Sequence, residues 1–227
     1  MLLPALAKAR AKARSITCVN ALKQNVLALL MYADDNNQMV VRYEDGGGLA
    51  TAGQGYPYRF AYAGVLLYCK YMSYGNNLRC PLWGKPEGLT ATDIGIRRGY
   101  SMYNGSKTAG ADLTDKGKRV AVDQLSGTYA NIRSYNIGVI DNPTTFPAIE
   151  EGWGASQKSD FCWNEFGNPA GGAFLVFAHD AKTNTTWMDG HATSDLRGTI
   201  KTTLNDAGYF KFDRFFCFDE TGTIGSW

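Results

Sequence analysis

The sequence predicts an α+β fold, with one long N-terminal α-helix packed on a mainly antiparallel β-sheet. Three observations predict it. Residues 5–34 carry helical periodicity, and beyond residue 37 short Tyr-, Val-, Ile- and Phe-rich segments alternate with glycine turns. The 26 glycines and 13 tyrosines also favour a body of many turns and half-buried aromatic strand positions.

The helix has two unlike halves. Val19, Leu22, Val26, Leu29 and Ala33 recur at spacings of three and four and form one apolar stripe. Before them, Ala5, Ala7, Ala9, Ala11 and Ala13 alternate with Lys8, Arg10, Lys12 and Arg14. At about 100° per residue that alternation is smeared around the helix, so these good helix formers offer no core-facing side. Residues 1–34 therefore read as a stalk whose first half projects from a single globular head, residues 35–227. Asp34-Asp35-Asn36-Asn37 supplies the stop.

Within the head, Gly46 to Gly55 reads as a loop and Gly64–Tyr74 as a short helix with Leu66, Leu67 and Tyr71 inward. Arg97–Tyr103, Ser134–Val139, Phe146–Glu150, Ala173–His179, Thr185–Thr193 and Phe210–Phe218 are predicted strands, and residues 104–131 a polar insertion.

Composition excludes several function classes. The 227 residues suffice for one sizeable core. Lys and Arg (23) nearly balance Asp and Glu (21), so no global field points to nucleic acid or a membrane surface. The longest apolar runs, Val26–Tyr32 and Gly172–Ala178, are far short of the roughly 20 residues that span a bilayer. No P-loop, dinucleotide fingerprint or Gly-x-Ser-x-Gly occurs, and Ser134-Tyr135-Asn136 lacks the companion motifs of penicillin-binding enzymes. Lys8, Arg10, Lys12 and Arg14 have no interleaved aromatics and read as a solvated or subunit-facing helix, so no nucleic-acid partner is expected. Tyr56, Tyr58, Tyr62, Tyr68, Tyr71 and Tyr74 with Trp83 read as core and subunit contact, the alternative being an exposed glycan-binding face.

Five cysteines, Cys18, Cys69, Cys80, Cys162 and Cys217, form no CxxC pair, so no structural zinc site is expected. An odd number leaves at least one thiol free or paired between chains. Buried free thiols and disulfides both remain open from spacing alone.

His179, nine intervening residues, Asp189-Gly190 and then His191 invite a metal reading. A hairpin of Ala173–His179 with Thr185–Thr193 would set His179 opposite Thr185 or Thr186, roughly 10 Å or more from Asp189. The two then share no metal. Asp189 is expected to accept backbone N–H bonds and interact with His191, Gly190 to permit a bend, and His179 to hydrogen-bond a neighbouring loop.

Two stretches carry a family resemblance. Leu2-Leu3-Pro4-Ala5-Leu6, the Lys/Arg/Ala segment, Cys18-Val19-Asn20-Ala21-Leu22-Lys23-Gln24 and Met31-Tyr32-Ala33-Asp34 form the first. His179 to His191 forms the second, with Cys80-Pro81 and Tyr100-Ser101 plus Asn104 between. Together they resemble the prepilin-type proteins named for an H-X9-DG motif, relatives of type IV pilins and type II secretion pseudopilins. The resemblance implies a structural subunit with no catalytic residue, a pilin-like fold, and other pilin-like subunits as partners. It also implies a leader and an apolar segment ahead of Leu2, processed by a prepilin peptidase, holding the subunit in the inner membrane before assembly at the periplasm or cell surface. It makes a Cys18–Cys80 bridge the leading disulfide, with Cys69–Cys80 and Cys162–Cys217 as other pairings. Calcium, held near the C-terminus in some related pseudopilins, would fall to Asp213, Asp219 and Glu220, whose spacing matches no calcium motif. No other cofactor is implied. An adhesive or carbohydrate-binding module is the alternative function. A hydrolase behind the stalk would need two carboxylates converging about 5–10 Å apart.

Overall fold

The computed structural model describes residues 2–44, 61–83, 99–103, 114–124, 132–154, 159–160, 163–164, 173–210, 216–219 and 224–226. The predicted helix is present as α1, Leu2–Asp35. Pro4 lies in its first turn, where a missing N–H costs no helical bond. Residues 3–14 are all exposed, whereas from Cys18 onward one side is buried through Leu22, Val26, Leu29 and Ala33. Val19 sits at the edge of that stripe and is half-buried. The helix stops where Asn37 and Gln38 take left-handed φ values of 54° and 61°, conformations that break the i to i−4 ladder.

The head is built from β1 (Met39–Glu44), α2 (Tyr62–Tyr68), β2 (Met102–Tyr103), α3 (Asp115–Val120), β3 (Ala121–Gln124), β4 (Ile132–Asn136), β5 (Pro147–Glu150), β6 (Gly152–Gly154), β7 (Ser159–Asp160), β8 (Trp163–Asn164), β9 (Ala173–Phe177), β10 (Lys182–Trp187), β11 (Ala192–Leu196), α4 (Arg197–Ala207), β12 (Phe216–Asp219) and β13 (Ile224–Ser226). These form sheets ordered β1-β4-β3, β11-β10-β5, β13-β12-β9-β6-β7 and β2-β8. Pairing is antiparallel except for β9–β12 and β2–β8. The chain is thus α+β, a long N-terminal helix with mainly antiparallel sheets.

The docked half of α1 crosses β10, which is central in its sheet and buried from Thr183 to Trp187. The core beneath holds Trp187, Tyr62, Tyr100, Tyr135, Tyr209, Phe146 and Phe177. Phe146 meets Tyr135 and Tyr209 edge-on at 5.2 and 5.0 Å, the geometry aromatic quadrupoles favour.

Asn25 is the one fully buried polar residue of α1 among the described residues. Its Nδ2 donates to the carbonyls of Ala21 (2.8 Å) and Asn77 (2.6 Å), and Tyr62 Oη donates to its Oδ1 at 3.4 Å. It pins the stalk to the 76–78 turn. Asn25→Ala is expected to lower stability by about 1–3 kcal/mol, because the Asn77 carbonyl, at a part-buried contact, and the Tyr62 hydroxyl lose this partner; chemical denaturation measures the loss.

Four sequence expectations need correction. Thr185–Thr193 is not one strand, since β10 ends at Trp187, residues 188–191 turn, and β11 returns antiparallel. Ala173–His179 does not pair with it as a hairpin, because β9 lies between β12 and β6 while β10 lies between β11 and β5. The described part of the polar insertion, 114–124, contains α3 and β3, and β3 pairs with β4. The short helix is Tyr62–Tyr68 and stops early, where Lys70 takes φ 64° and Tyr71 N–H bonds back to Leu66 O. Besides α3, a second helix went unpredicted: α4 buries only Ile200 and Leu204, and Gly208 ends it at φ 69°.

Candidate functional site

Four chemically capable side chains meet beneath the stalk: Cys18, Cys80, Glu151 and His179. Each comes from a different element. Cys18 is the first buried residue of α1, and Cys80 lies between the turns Asn76–Leu78 and Pro81–Trp83. Glu151 is the single residue between β5 and β6, and His179 opens the turn between β9 and β10. That turn is closed by paired backbone bonds between His179 and Lys182, with Asp180 and Ala181 at φ 57° and 56°, the left-handed pair of a tight turn.

The donor atoms lie within 4.8 Å of one another and all four residues are buried. The sulfurs of Cys18 and Cys80 are 2.6 Å apart, longer than an S–S bond and shorter than a non-bonded sulfur contact. His179 Nε2 is 3.4 Å from Cys80 Sγ and 2.8 Å from Glu151 Oε1. Asn184 fixes the carboxylate, its backbone N–H donating to Oε2 at 3.1 Å and its Nδ2 to Oε1 at 3.3 Å. Tyr100 Oη donates to the Cys18 carbonyl at 3.4 Å and closes one wall.

Electrostatics follow from this packing. Burial works against a charged His179, but its bonds to Cys80 and Glu151 and the carboxylate's attraction prevail, and its pKa is pushed up to about 10. Burial, with the Cys18 contact, drives the Cys80 thiol strongly upward. The Cys80 bond favours ionisation of Cys18, but burial and the Glu151 charge outweigh it and raise that thiol as well. Without a bound cation these are poor nucleophiles. Nor is this a Cys–His–acid relay: one nitrogen, Nε2, faces both the sulfur and the carboxylate, whereas a relay uses opposite ring nitrogens.

The structure places the H-X9-DG residues at two ends of β10. His179 bonds Glu151 at the β5–β6 junction and so joins the buried cluster, while Asp189-Gly190 forms the turn into β11, about 17 Å of strand away. Asp189 Oδ1 accepts from His191 N–H at 3.1 Å and lies 2.6 Å from His191 Nδ1. The His191 ring stacks on Trp187 at 5.7 Å. Gly190 has φ 88°, and a Cβ there would lie 3.5 Å from Leu30 of α1. Backbone strain, more than space, therefore demands glycine. Gly190→Ala is expected to cost about 1–2 kcal/mol and to lower the melting temperature by about 2–8 °C in a thermal melt.

The remaining expectations fall unevenly. Cys80 lies against Cys18 and not Cys69, which is exposed; Cys217 is buried in β12, and Cys162 lies outside the described residues. Of the calcium candidates, Asp213 and Glu220 lie outside the described residues and Asp219 ends β12. Tyr62 is core, Tyr71 is half-buried with its hydroxyl donating to Asp35 at 2.7 Å, and Tyr68 and Tyr74 are exposed. Tyr56 and Tyr58 lie outside the described residues. Glu151 and Asn184 had no motif to flag them; Glu151 falls one residue past the predicted strand Phe146–Glu150. No family model, curated protein or solved structure matches the chain.

Proposed function

We propose that the chain is a structural subunit of a type IV pilus-like or type II secretion pseudopilus-like assembly, without catalytic activity. The two-sided character of α1 carries this reading. One face of its second half is in the core, and its first half is exposed along residues 3–14. Leu6, Ile16, Leu27 and Met31 are each at least half exposed. At 3.6 residues per turn they fall within about 80° of one another and roughly opposite Cys18, Leu22 and Leu29. Four exposed apolar positions spaced along that sector, with polar Asn20 and Gln24 between them, give the stalk a mixed outer face that suits contact with another helix. Further copies or other pilin-like subunits are the partners this requires, at the periplasm or cell surface, with the apolar segment implied by the family resemblance as their anchor.

The geometry of the buried cluster supports the non-catalytic part of the reading, since one imidazole nitrogen faces both the sulfur and the carboxylate, which is not the arrangement of a base for the thiol. The test is the double variant Ile16→Glu, Leu27→Glu in the producing cell. Both positions are exposed, so the head's stability should stay within about 0.5 kcal/mol, while incorporation into surface filaments is lost. Normal filament content of the variant would count against the proposal.

A further inference from the structure

We propose that Cys18, Cys80, Glu151 and His179 bind one zinc-class divalent cation in a closed structural site joining the stalk to the head. The inference stands independently of the assembly reading. Two thiols, an imidazole and a carboxylate are each zinc ligands, and four protein ligands complete its tetrahedron. All four converge within 4.8 Å in a buried place. A disulfide between Cys18 and Cys80 would engage two of them and leave His179 and Glu151 as a buried ion pair. A cation engages all four.

The surroundings fit as well. Metal-bound carboxylates are held by outer hydrogen bonds, and here Asn184 holds both oxygens of Glu151. Tetrahedral bonds of 2.0–2.3 Å separate ligand atoms by roughly 3.3–3.8 Å. The 3.4 Å between His179 Nε2 and Cys80 Sγ already matches. The sulfurs, at 2.6 Å, and the His179–Glu151 pair, at 2.8 Å, must open by about 1 Å and 0.5 Å. Binding releases the two thiol protons and any imidazole proton to solvent, and two thiolates and one carboxylate then face the dication.

The test uses the full chain, reduced and stripped of metal, titrated with Zn2+ and with Co2+ as a spectroscopic stand-in. One equivalent should bind. Cobalt should show the visible bands of a tetrahedral site and a near-ultraviolet thiolate charge-transfer band. Zinc at a hundredfold excess over its Kd should raise the folded-to-unfolded ratio about a hundredfold. Asn184→Ala, which removes a positioning residue and no ligand, should weaken binding about 10–100-fold, and Cys80→Ser, which leaves one thiolate, should cut the charge-transfer band to about half or less. Should Cys80→Ser fail to fold, the cobalt spectrum of the unaltered chain still decides. The proposal is overturned if the reduced chain takes up no metal, if uptake gives no thiolate band, or if the chain isolated without reductant carries a Cys18–Cys80 disulfide.

Discussion

Glu151→Ala should lower the stability of the metal-free protein by about 3–5 kcal/mol, the range for breaking a buried ion pair from one side. The glutamate is 2% exposed and its two oxygens take three polar contacts, from His179 Nε2, Asn184 Nδ2 and the Asn184 backbone N–H. Removing it strands an imidazole whose pKa had been pushed up to about 10 partly by this carboxylate. It also strands an amide and a backbone N–H. Against a typical total of roughly 5–15 kcal/mol, that loss is a large share. Urea denaturation in a chelator isolates it from metal binding. Replacing both Glu151 and His179 with leucine should recover only the part due to the stranded imidazole, since the Asn184 amide and backbone N–H stay unpaired. A single variant within about 1 kcal/mol of the parent would mean the pair is not the anchor described here.

The second large effect is expected at Phe146. Its side chain is fully buried and is surrounded by Tyr135, Tyr209 and Phe210, with ring centroids at 5.0–5.4 Å. These rings come from β4, the loop before β5 and the segment after α4, so one phenyl group joins three separate stretches. Tyr209 is further fixed by accepting the Asn142 N–H at 3.1 Å, which limits how far the cluster can collapse into a vacancy. Phe146→Ala should therefore cost about 3–5 kcal/mol, read as a denaturant midpoint shift with unchanged slope. A loss below about 1.5 kcal/mol would mean the neighbouring rings close the cavity.

Much of the fold was legible where local pattern and tertiary role agree. The Leu22–Val26–Leu29–Ala33 stripe both forms the helix and docks it, and the alternating Ala and Lys/Arg segment correctly reads as helix without a core side. Legibility failed where one signal masked another. Asp189-Gly190 is a turn signal, but the β-branched and aromatic run Thr185-Thr186-Trp187 carried the strand pattern across it. In α4, Thr199, Thr202 and Thr203 dilute a helix that buries just Ile200 and Leu204. The cluster was half legible. His179, Cys18 and Cys80 stood out separately, but no local spacing joins residues from α1, a turn, a strand junction and a second turn. Glu151 is recognisable only once β5 and β6 place it there.

The claim at the centre of the account is that the outer face of α1 is a contact between subunits. Single cysteines placed at Leu6 and Leu27, with Cys162 replaced along with Cys69, the exposed thiol among the described residues, can be cross-linked in sheared surface filaments. The account predicts covalent dimers and longer ladders of the chain or its fellow subunits from both helix positions, and none from a control cysteine at Val139, which is exposed on the head. Monomers alone from both helix positions, in filaments that contain the chain, would contradict it.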